Sequence, residues 1–199
     1  EHDMTIVARR TAHVAGLPVA AGHVGGNPGP FTARGVLVGL KAAVHHRLGR
    51  DSLKGLHVSV QGVGSVGGAL ARALASEGAR LTLADANADR AAVLAAELGA
   101  AQVPVEAIMA VPADVFSPNA LGAILDETSI AALDVAIVAG AANNQLATAQ
   151  DGARLAARGI LYAPDYVINA GGIISVMAEY LGETSLARVN AQVDAIGPR

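Results

Sequence analysis

The sequence has no cysteine and no tryptophan, and its aromatic residues are limited to two phenylalanines and three tyrosines among 199 residues. The lack of cysteine excludes disulfide bonds and thiol catalysis. Because apolar residues nevertheless make up 52% of the chain, the core has to consist of Ala, Val, Leu and Ile, as in many α/β proteins with a parallel sheet. The formal charge is only -3 and there is no basic run, so nucleic acid is not an expected partner.

Long apolar runs and a leader sequence are also lacking. Asp134 and Asp165 interrupt the most apolar stretches before these reach the roughly 20 residues of a membrane-spanning helix. The chain begins with Glu1 and His2, without the basic start and apolar core of a signal peptide. We therefore expect a cytoplasmic protein with no membrane partner. Because position 1 is not Met, we also expect the sequence to be part of a longer chain.

Side chains that commonly carry catalysis are scarce. Lysine occurs only as Lys41 and Lys54, and neither lies in a glycine-rich stretch that would desolvate its amine and lower its pKa. His45 and His46 are adjacent, so on a helix they point ~100° apart and cannot share a metal ion as an i, i+4 pair does. We expect no metal site in this chain, and these lysines and histidines are poor candidates for catalysis.

Glycines and prolines divide the chain into segments with the apolar periodicity of strands and of helices. The pattern predicts helices at residues 3–14, 32–48, 87–98, 150–158, 171–180 and from 186 onward, and loops at 21–30 and 164–169. Strands are predicted from residue 56 and at 80–85, 114–118, 134–139 and 160–162. This alternation predicts an α/β fold with a doubly wound, mostly parallel sheet and helices on both faces.

The first predicted strand leads into a glycine turn with G-x-G-x-x-G spacing, formed by Gly62, Gly64 and Gly67. In this arrangement the first glycine allows a tight turn and the second lets the backbone approach a pyrophosphate. The third lets the following helix pack against the strand, and the free N–H groups of that helix bind the anion. The turn therefore predicts a Rossmann-type dinucleotide site.

Asp85 ends the second predicted strand, about as far beyond the glycines as the carboxylate that accepts hydrogen bonds from the adenosine ribose. Its charge would repel a 2′-phosphate, which favours NAD over NADP. Two alternatives stay open on the residues alone. Asp85 could merely cap the following helix, and a methyltransferase also combines a glycine turn with an acidic strand end.

Two further segments place asparagines where a ligand could lie. Asn143 and Asn144 follow a buried strand, at the edge of a parallel sheet where ligands bind, and could orient a ribose or a carboxamide. The alternative is a turn in which asparagine has a left-handed conformation. Asn169 precedes Gly171 and Gly172, so its amide either faces a ligand or caps the helix that these glycines open.

Five segments together resemble the glutamate/leucine/phenylalanine/valine family of amino-acid dehydrogenases, most closely its leucine and phenylalanine branch. They are GGNPGPFTARGV at 25–36, VQGVGSVG at 60–67, DVFSP at 114–118, VAGAANN at 138–144 and APDYVINAGG at 163–172. Their order and spacing fit the cofactor domain of the family along nearly the whole chain. The resemblance argues against a methyltransferase. It also changes the interpretation of residues 21–30 from a linker, which composition favours, to a ligand loop.

The resemblance implies NAD as the cofactor and a role for each matching position. Those implied to bind NAD are Thr32 at the carboxamide, Gly62, Gly64, Ser65, Val66 and Gly67 at the pyrophosphate, Asp85 at the adenosine ribose, and Ala139, Gly140, Asn143 and Asn169 at the nicotinamide end. Asn169 would also face the substrate, and Ile173 and Val176 would line its side-chain pocket. Their branched side chains favour a leucine- or valine-like amino acid. Because one methylene is worth only ~1–3 kcal/mol there, phenylalanine and glutamate stay as alternatives.

The family carries its catalytic lysines and aspartate on an N-terminal domain that this sequence does not contain. The resemblance therefore implies a chain that binds NAD for the reversible oxidative deamination of an amino acid but is inactive alone. We divide it into linking helices with the nicotinamide-side loop (1–50), a Rossmann domain (51–185) and a shortened helical segment (186–199). The complete enzyme would be a homo-oligomer acting on a small amino acid. A non-catalytic NAD-binding module is the alternative.

Overall fold

The computed structural model describes residues 2–19 and 23–198. The strands are β1 (His57–Gln61), β2 (Arg80–Ala84), β3 (Ala101–Gln102), β4 (Val115–Pro118), β5 (Ile137–Val138) and β6 (Leu161–Tyr162). The helices are α1 (His2–Ala8), α2 (Gly29–Leu48), α3 (Ser65–Ser76), α4 (Ala88–Leu98), α5 (Glu127–Ala132), α6 (Gln150–Ala157), α7 (Asp165–Ile168), α8 (Gly171–Tyr180) and α9 (Leu186–Asp194). A short 3₁₀ helix covers Ile108–Ala110.

The six strands form one sheet in the order β3-β2-β1-β4-β5-β6. All five pairings between neighbouring strands are parallel. This is the strand order of dinucleotide-binding folds, in which the order reverses between β1 and β4 and opens a crevice at the carboxyl ends of the strands. The predicted doubly wound, parallel sheet is confirmed.

Helices cover both faces of the sheet, as the alternation of buried side chains shows. Val115 and Phe116 are consecutive in β4 and fully buried, yet they belong to two different hydrophobic clusters. Ile137 and Val138 in β5 divide in the same way. Because successive side chains of a strand point to opposite faces, each cluster is the core of one face. The first includes residues of α2, α3 and α4, and the second includes residues of α5 and α6.

Helix α2 brings the N-terminal part of the chain into this core. Its residues Val36, Leu40 and Val44 are buried in the same cluster as Val58 and Val60 of β1. Although α2 has 20 residues, no helix in the described ranges is both long enough and apolar enough to cross a membrane. The predicted division into segments at residues 50 and 185 stays a prediction.

Helix α1 is shorter than the sequence pattern predicts. The apolar spacing predicted a helix over residues 3–14, but α1 ends at Ala8. None of its residues is buried, so no tertiary packing extends it, and packing supplies most of the stability of a short helix. The backbone N–H groups of Gly16 and Leu17 instead donate to the Glu179 carboxylate, at 2.7 and 3.0 Å.

Three other segments differ from the prediction. Residues 164–169, predicted as a loop, contain α7, a helix of one turn whose length is too short for periodicity to reveal. Helix α2 begins at Gly29 instead of residue 32, because Pro30 is tolerated in a first turn where its missing N–H has no helical partner. Strand β5 covers only two of six predicted residues, although the Ala139 N–H still donates to the Phe116 carbonyl (3.0 Å).

Candidate functional site

The glycine turn between β1 and α3 has the geometry that its spacing predicts. Gly62 has a φ of +85°, which L side chains rarely adopt, and its N–H donates to the Ala84 carbonyl at 2.7 Å. A Cβ on Gly67 would overlap the Gly62 carbonyl oxygen, so only glycine lets α3 approach the turn this closely. A Cβ on Gly64 would meet no atom within 4 Å. The second glycine thus faces open space, where a ligand can approach the backbone.

Asp85 lies beneath this turn, and its side chain is only 10% exposed. The Val63 N–H donates to its Oδ2 and the Asn87 N–H to its Oδ1, both at 2.8 Å, and Arg90 Nη1 lies 3.6 Å from Oδ1. Asn87, not Asp85, caps α4 by accepting a hydrogen bond from the Arg90 N–H, so the helix-cap alternative is wrong. Because each carboxylate oxygen has two lone pairs, Asp85 can still accept from a ribose hydroxyl.

A cavity of about 470 Å³ opens beside Asp85. Gly64 lines it on one side, and the apolar side chains Leu121 and Ile124 line it on the other. Gln61 also borders it, with an Oε1 atom that is buried and has no hydrogen-bond partner within residues 2–19 and 23–198. A buried acceptor of this kind requires a donor from a ligand or from water. The volume, the apolar wall and the carboxylate together suit an adenosine group.

A second cavity of about 760 Å³ is lined by Ser65, at the start of α3, together with Asn27, Pro28 and Val176. Asn27 connects its two walls, because its Nδ2 donates to Ser65 Oγ (3.3 Å) while its Oδ1 accepts from the Gly29 N–H (2.9 Å). The predicted ligand loop and the glycine turn are therefore in contact. Residues 21 and 22 of this predicted loop, and residue 20 before it, lie outside the described part of the chain.

Thr32 lies where the first turn of α2 meets the start of α8. Its Oγ1 donates to the Pro28 carbonyl at 3.1 Å, and a Cβ on Gly172 would overlap this oxygen. The threonine therefore contacts the helix that follows Asn169. Its predicted contact with a carboxamide stays a prediction.

The predicted asparagines meet at the carboxyl end of β5. Asn169 Nδ2 donates to the Ala141 carbonyl (3.2 Å) and to Asn143 Oδ1 (2.7 Å). The cap position of α8 is Ala170, with no side-chain cap, so the interpretation of Asn169 as a cap for this helix is wrong. Asn144 has a φ of +53°, which confirms the left-handed alternative for this one residue.

Asp165 links the loop after β5 to Tyr162 of β6, and the sequence analysis did not single it out as a functional residue. It is 9% exposed, and its Oδ2 accepts from the Asn144 N–H at 2.8 Å. Its Oδ1 accepts from Tyr162 Oη, also at 2.8 Å. Burial and the bond to Asp165 raise the pKa of Tyr162, so the phenol stays protonated and acts as a donor. The only sequence signal was the position of Asp165 just after a strand.

Asn119 is a second residue that the sequence analysis missed. It follows β4 and lines the cavity beside Asp85. Its Nδ2 donates to the Ser117 carbonyl (2.8 Å) and its Oδ1 accepts from the Ala141 N–H (3.0 Å). Asn119 thereby connects the cavity beside Asp85 to the loop that carries Asn143. Its position at the carboxyl end of a central strand was the available signal.

Residues 82–195 match the family described as glutamate/leucine/phenylalanine/valine dehydrogenase. The chain belongs to this family. It is 45% identical over 197 residues to leucine dehydrogenase from Thermoactinomyces intermedius, a match that covers 98% of this chain and 54% of that protein. It is 40% identical to phenylalanine dehydrogenase from Bacillus thermotolerans, over 98% of this chain and 53% of that protein.

A solved structure, L-tryptophan dehydrogenase from Nostoc punctiforme, superposes on this dehydrogenase-family chain with a TM-score of 0.84 at 42% identity. The match covers 87% of this chain and 53% of the solved chain. The chain thus spans about half the length of the relatives that it matches. These findings confirm the family resemblance inferred from five segments and overturn the methyltransferase alternative.

The remaining predicted site residues differ in burial and in the cavity that they line. Ala139 is fully buried in the core, so only its backbone can reach a ligand, and Gly140 abuts Pro118 so closely that no Cβ would fit. Val176 lines the 760 Å³ cavity. Ile173 is 58% exposed and lines a different cavity of about 610 Å³, between α8 and α9. The structure does not bring Ile173 and Val176 into one cavity.

Neither lysine of the chain borders the dinucleotide crevice. Lys41 Nζ donates to both carboxylate oxygens of Glu77 at 2.8 Å. Lys54 is exposed in the turn before β1, at the opposite edge of the sheet. His45 Nδ1 lies 2.7 Å from Asp51 Oδ1, and the described residues contain no group of three metal-ligating side chains.

Proposed function

We propose that this chain is the NAD-binding part of an L-amino-acid dehydrogenase that deaminates a branched-chain amino acid, reversibly, to the 2-oxo acid and ammonia. One observation carries the proposal. In a chain of this family, the glycine turn, the Asp85 carboxylate and the asparagine pair lie along one edge of the sheet, with one cavity lined by Gly64 and Asp85 and a second lined by Ser65. A dinucleotide has the matching order of groups: adenosine, pyrophosphate and nicotinamide.

The pyrophosphate binds at the start of α3. Ser65, Val66 and Gly67 form the first turn of this helix, whose N–H groups have no partner within the helix and bind anions. Gly62 and Gly64 carry no side chain and Val63 between them is buried, so the backbone of the turn stays accessible. Asp85 accepts hydrogen bonds from the adenosine ribose and disfavours a 2′-phosphate.

The nicotinamide end lies across the turn. Thr32 and the backbone of Ala139 and Gly140 border it, and Asn143 and Asn169 present amide groups. Bound NAD supplies the hydride acceptor, and Asn169 also contacts the amino acid. These residues orient the ring and the substrate, and the catalytic amine and carboxylate come from outside this chain.

The side-chain specificity of the complete enzyme is the least constrained part of the proposal. Val176 and Ile173 are branched and aliphatic, which favours leucine or valine, although only Val176 lines the cavity next to the glycine turn. Relatives at 40–45% identity include leucine, L-tryptophan and phenylalanine dehydrogenases, so phenylalanine specificity stays an alternative, as does glutamate. Turnover of leucine, valine, phenylalanine and glutamate by the complete protein, followed as NADH formation, distinguishes these substrates.

A stand-alone NAD-binding module is the second candidate. Lys41 and Lys54 both lie outside the crevice, so this chain supplies no lysine for deamination, as expected both for a module and for an enzyme whose lysines lie on another domain. The length of the native coding sequence decides between module and enzyme. A cytoplasmic location and a homo-oligomeric complete enzyme belong to the enzyme proposal and await localisation and mass measurements.

Calorimetric titration of the chain with NAD tests the binding step, and NADP is the matched control ligand. We expect NAD to bind and NADP to bind at least about 10-fold more weakly, because the added phosphate meets Asp85. With leucine present, the chain alone should form no NADH. Equal affinities would contradict the role of Asp85, and leucine-dependent NADH would show that the chain is catalytically complete.

A further inference from the structure

The hydrogen bonds at the end of β5 determine which way two amide groups face. The Ala141 carbonyl can only accept, so the atom of Asn169 that lies 3.2 Å from it has to be Nδ2. The same Nδ2 lies 2.7 Å from Asn143, whose facing atom is therefore the acceptor Oδ1. Two groups then stay outside this network, the Asn143 Nδ2 donor and the Asn169 Oδ1 acceptor. The carboxamide of a nicotinamide ring offers partners for both, because its oxygen accepts and its NH2 group donates.

The position of Asn143 depends on its neighbour. Asn144 has a φ of +53°, a conformation that costs energy for a residue with a side chain. Its N–H donates to the buried Asp165 carboxylate, whose other oxygen is held by Tyr162 Oη. Asp165 is also one helical turn before Asn169, and the Asn169 N–H donates to the Asp165 carbonyl at 2.9 Å. Asp165 thus holds Asn144 through its side chain and Asn169 through its backbone carbonyl.

We propose that Asp165 is a positioning residue for the nicotinamide end of the cleft. Through the Asn144 N–H it fixes the left-handed turn that presents the Asn143 amide beside Asn169. It borders none of the cavities described above, and it acts on the ligand through the two asparagines. The inference rests on the proposed NAD binding and adds a residue to it.

The proposal predicts an effect confined to one half of the ligand. ADP-ribose has the adenosine, the pyrophosphate and the second ribose of NAD and lacks only the nicotinamide ring with its carboxamide. For the wild-type chain, two additional hydrogen bonds should make NAD bind about 10-fold more tightly than ADP-ribose. In Asp165→Ala the affinity for NAD should fall about 10-fold, to that of ADP-ribose, while ADP-ribose binding stays unchanged. Calorimetric titration of both ligands measures this ratio.

Asp165→Asn provides the rescue. Its Oδ1 can accept from the Asn144 N–H, and its Nδ2 can donate to Tyr162, whose hydroxyl accepts as well as donates. The affinity ratio should therefore stay within about threefold of the wild type. Tyr162→Phe removes one donor and leaves the Asn144 bond, so we expect a rise of about threefold in the Kd for NAD alone. This variant keeps the test available if Asp165→Ala does not fold.

Asp151 is the matched control for the loss of a buried aspartate. It is 1% exposed and, like Asp165, accepts from a backbone N–H and a hydroxyl, here both of Thr148, at 2.7 and 2.8 Å. Asp151→Ala should lower the thermal midpoint without changing the ratio of affinities.

The outcomes separate the two proposals. If the wild-type chain binds neither ligand, the proposed function fails and this inference fails with it. If it binds both but the ratio is one, or the ratio survives Asp165→Ala, only the positioning role is overturned. A loss of ADP-ribose binding in Asp165→Ala equal to the loss of NAD binding also overturns it, because the effect would then be global. If Asp165→Ala is unfolded, an unchanged ratio in Tyr162→Phe is decisive against the proposal.

Discussion

The two ends of the crevice share one kind of hydrogen bond, from a loop N–H group to an aspartate carboxylate. Asp85 follows β2 and accepts the Val63 N–H from the loop after β1, the neighbouring strand. Asp165 follows β6 and accepts the Asn144 N–H from the loop after β5, again the neighbouring strand. Both bonds are 2.8 Å long. In both cases, a carboxylate that follows one strand fixes the loop that follows the neighbouring strand of the sheet.

The surroundings of the two carboxylates differ. Asp85 borders a cavity, has two backbone N–H donors and lies 3.6 Å from the guanidinium of Arg90. Asp165 borders none of the described cavities, and its second donor is the hydroxyl of Tyr162. Under the proposed function, the same loop-fixing bond would serve a direct contact with the ligand at Asp85 and an indirect one at Asp165. Variants that act on both ends, on one end or on neither test this difference.

Gly67→Ala should have the largest effect. It should weaken ligand binding at both ends of the crevice, because both ends depend on the glycine turn. The added methyl group would overlap the Gly62 carbonyl and approach Asn119 Cβ to 3.0 Å. Both neighbours are held by the sheet, so the backbone has to shift, at a cost of about 3 kcal/mol in the free energy of unfolding. Urea unfolding measures the cost, and binding of NAD and ADP-ribose should fall together.

Gly64→Ala is the control for that variant. A methyl group there meets no atom within 4 Å, so the free energy of unfolding should change by less than about 0.5 kcal/mol. Affinity for both ligands should still fall, because the methyl group occupies the space that the pyrophosphate approaches. A stability loss as large as that of Gly67→Ala would contradict the steric role assigned to the third glycine.

The contrast between these two glycines shows what the sequence could predict. The spacing of Gly62, Gly64 and Gly67 is local, and so the turn, the strand before it and the helix after it were all foreseen. The parallel sheet followed from the alternation of strands and helices in the same way. Local patterns are enough wherever the partners of a residue are close along the chain.

Long-range contacts were not foreseen. Asp165 bonds to a backbone group 21 residues earlier, and it lies in a segment that was predicted as a loop. Asn119 bonds to Ala141, 22 residues later, just after the next strand along the chain. Apolar periodicity carries no information about which buried polar groups meet. The asparagine pair was expected near a ligand, but its hydrogen bonds required the fold.

Asp85→Ala should have the next largest effect, and unlike Asp165→Ala it should weaken both ligands. Removing the carboxylate leaves the Val63 N–H without its acceptor, at a cost of about 1–3 kcal/mol in stability. The Kd values for NAD and for ADP-ribose should both rise by about 10-fold or more, since both carry the adenosine ribose. Calorimetric titration of the two ligands checks this, and a loss confined to NAD would contradict the assignment of Asp85 to adenosine.

Asp85→Asn sharpens the difference between the two ends. Both donors to Asp85 are backbone N–H groups, so the Nδ2 of an asparagine would face a donor that cannot reverse its role. Asparagine should therefore fail to restore binding at position 85, although it restores binding at position 165. Full restoration of binding by Asp85→Asn would mean that the carboxylate does not accept from both the Val63 N–H and the Asn87 N–H.

Asp194→Asn should have the smallest effect and leave the affinities for both ligands unchanged. Arg34 Nε donates to Asp194 Oδ1 at 2.6 Å, joining α2 to α9, with side chains 46% and 45% exposed. The bond from Arg34 lowers the pKa of Asp194 below its ordinary value. A lowered pKa stabilises the fold at pH values above the ordinary pKa, and that contribution disappears as the pH falls through the lowered value.

The free energies of unfolding of wild type and Asp194→Asn should therefore differ by less than about 1 kcal/mol at neutral pH, because the pair is half-exposed and screened by solvent. The difference should shrink to zero in acid, once the pH is below the lowered pKa of Asp194, because Asp194 is then protonated in both the folded and the unfolded chain. Urea unfolding at the two pH values measures it. A difference that persists in acid would show that the amide disturbs the packing of α9 on α2, since the charge that separates the two proteins no longer exists there.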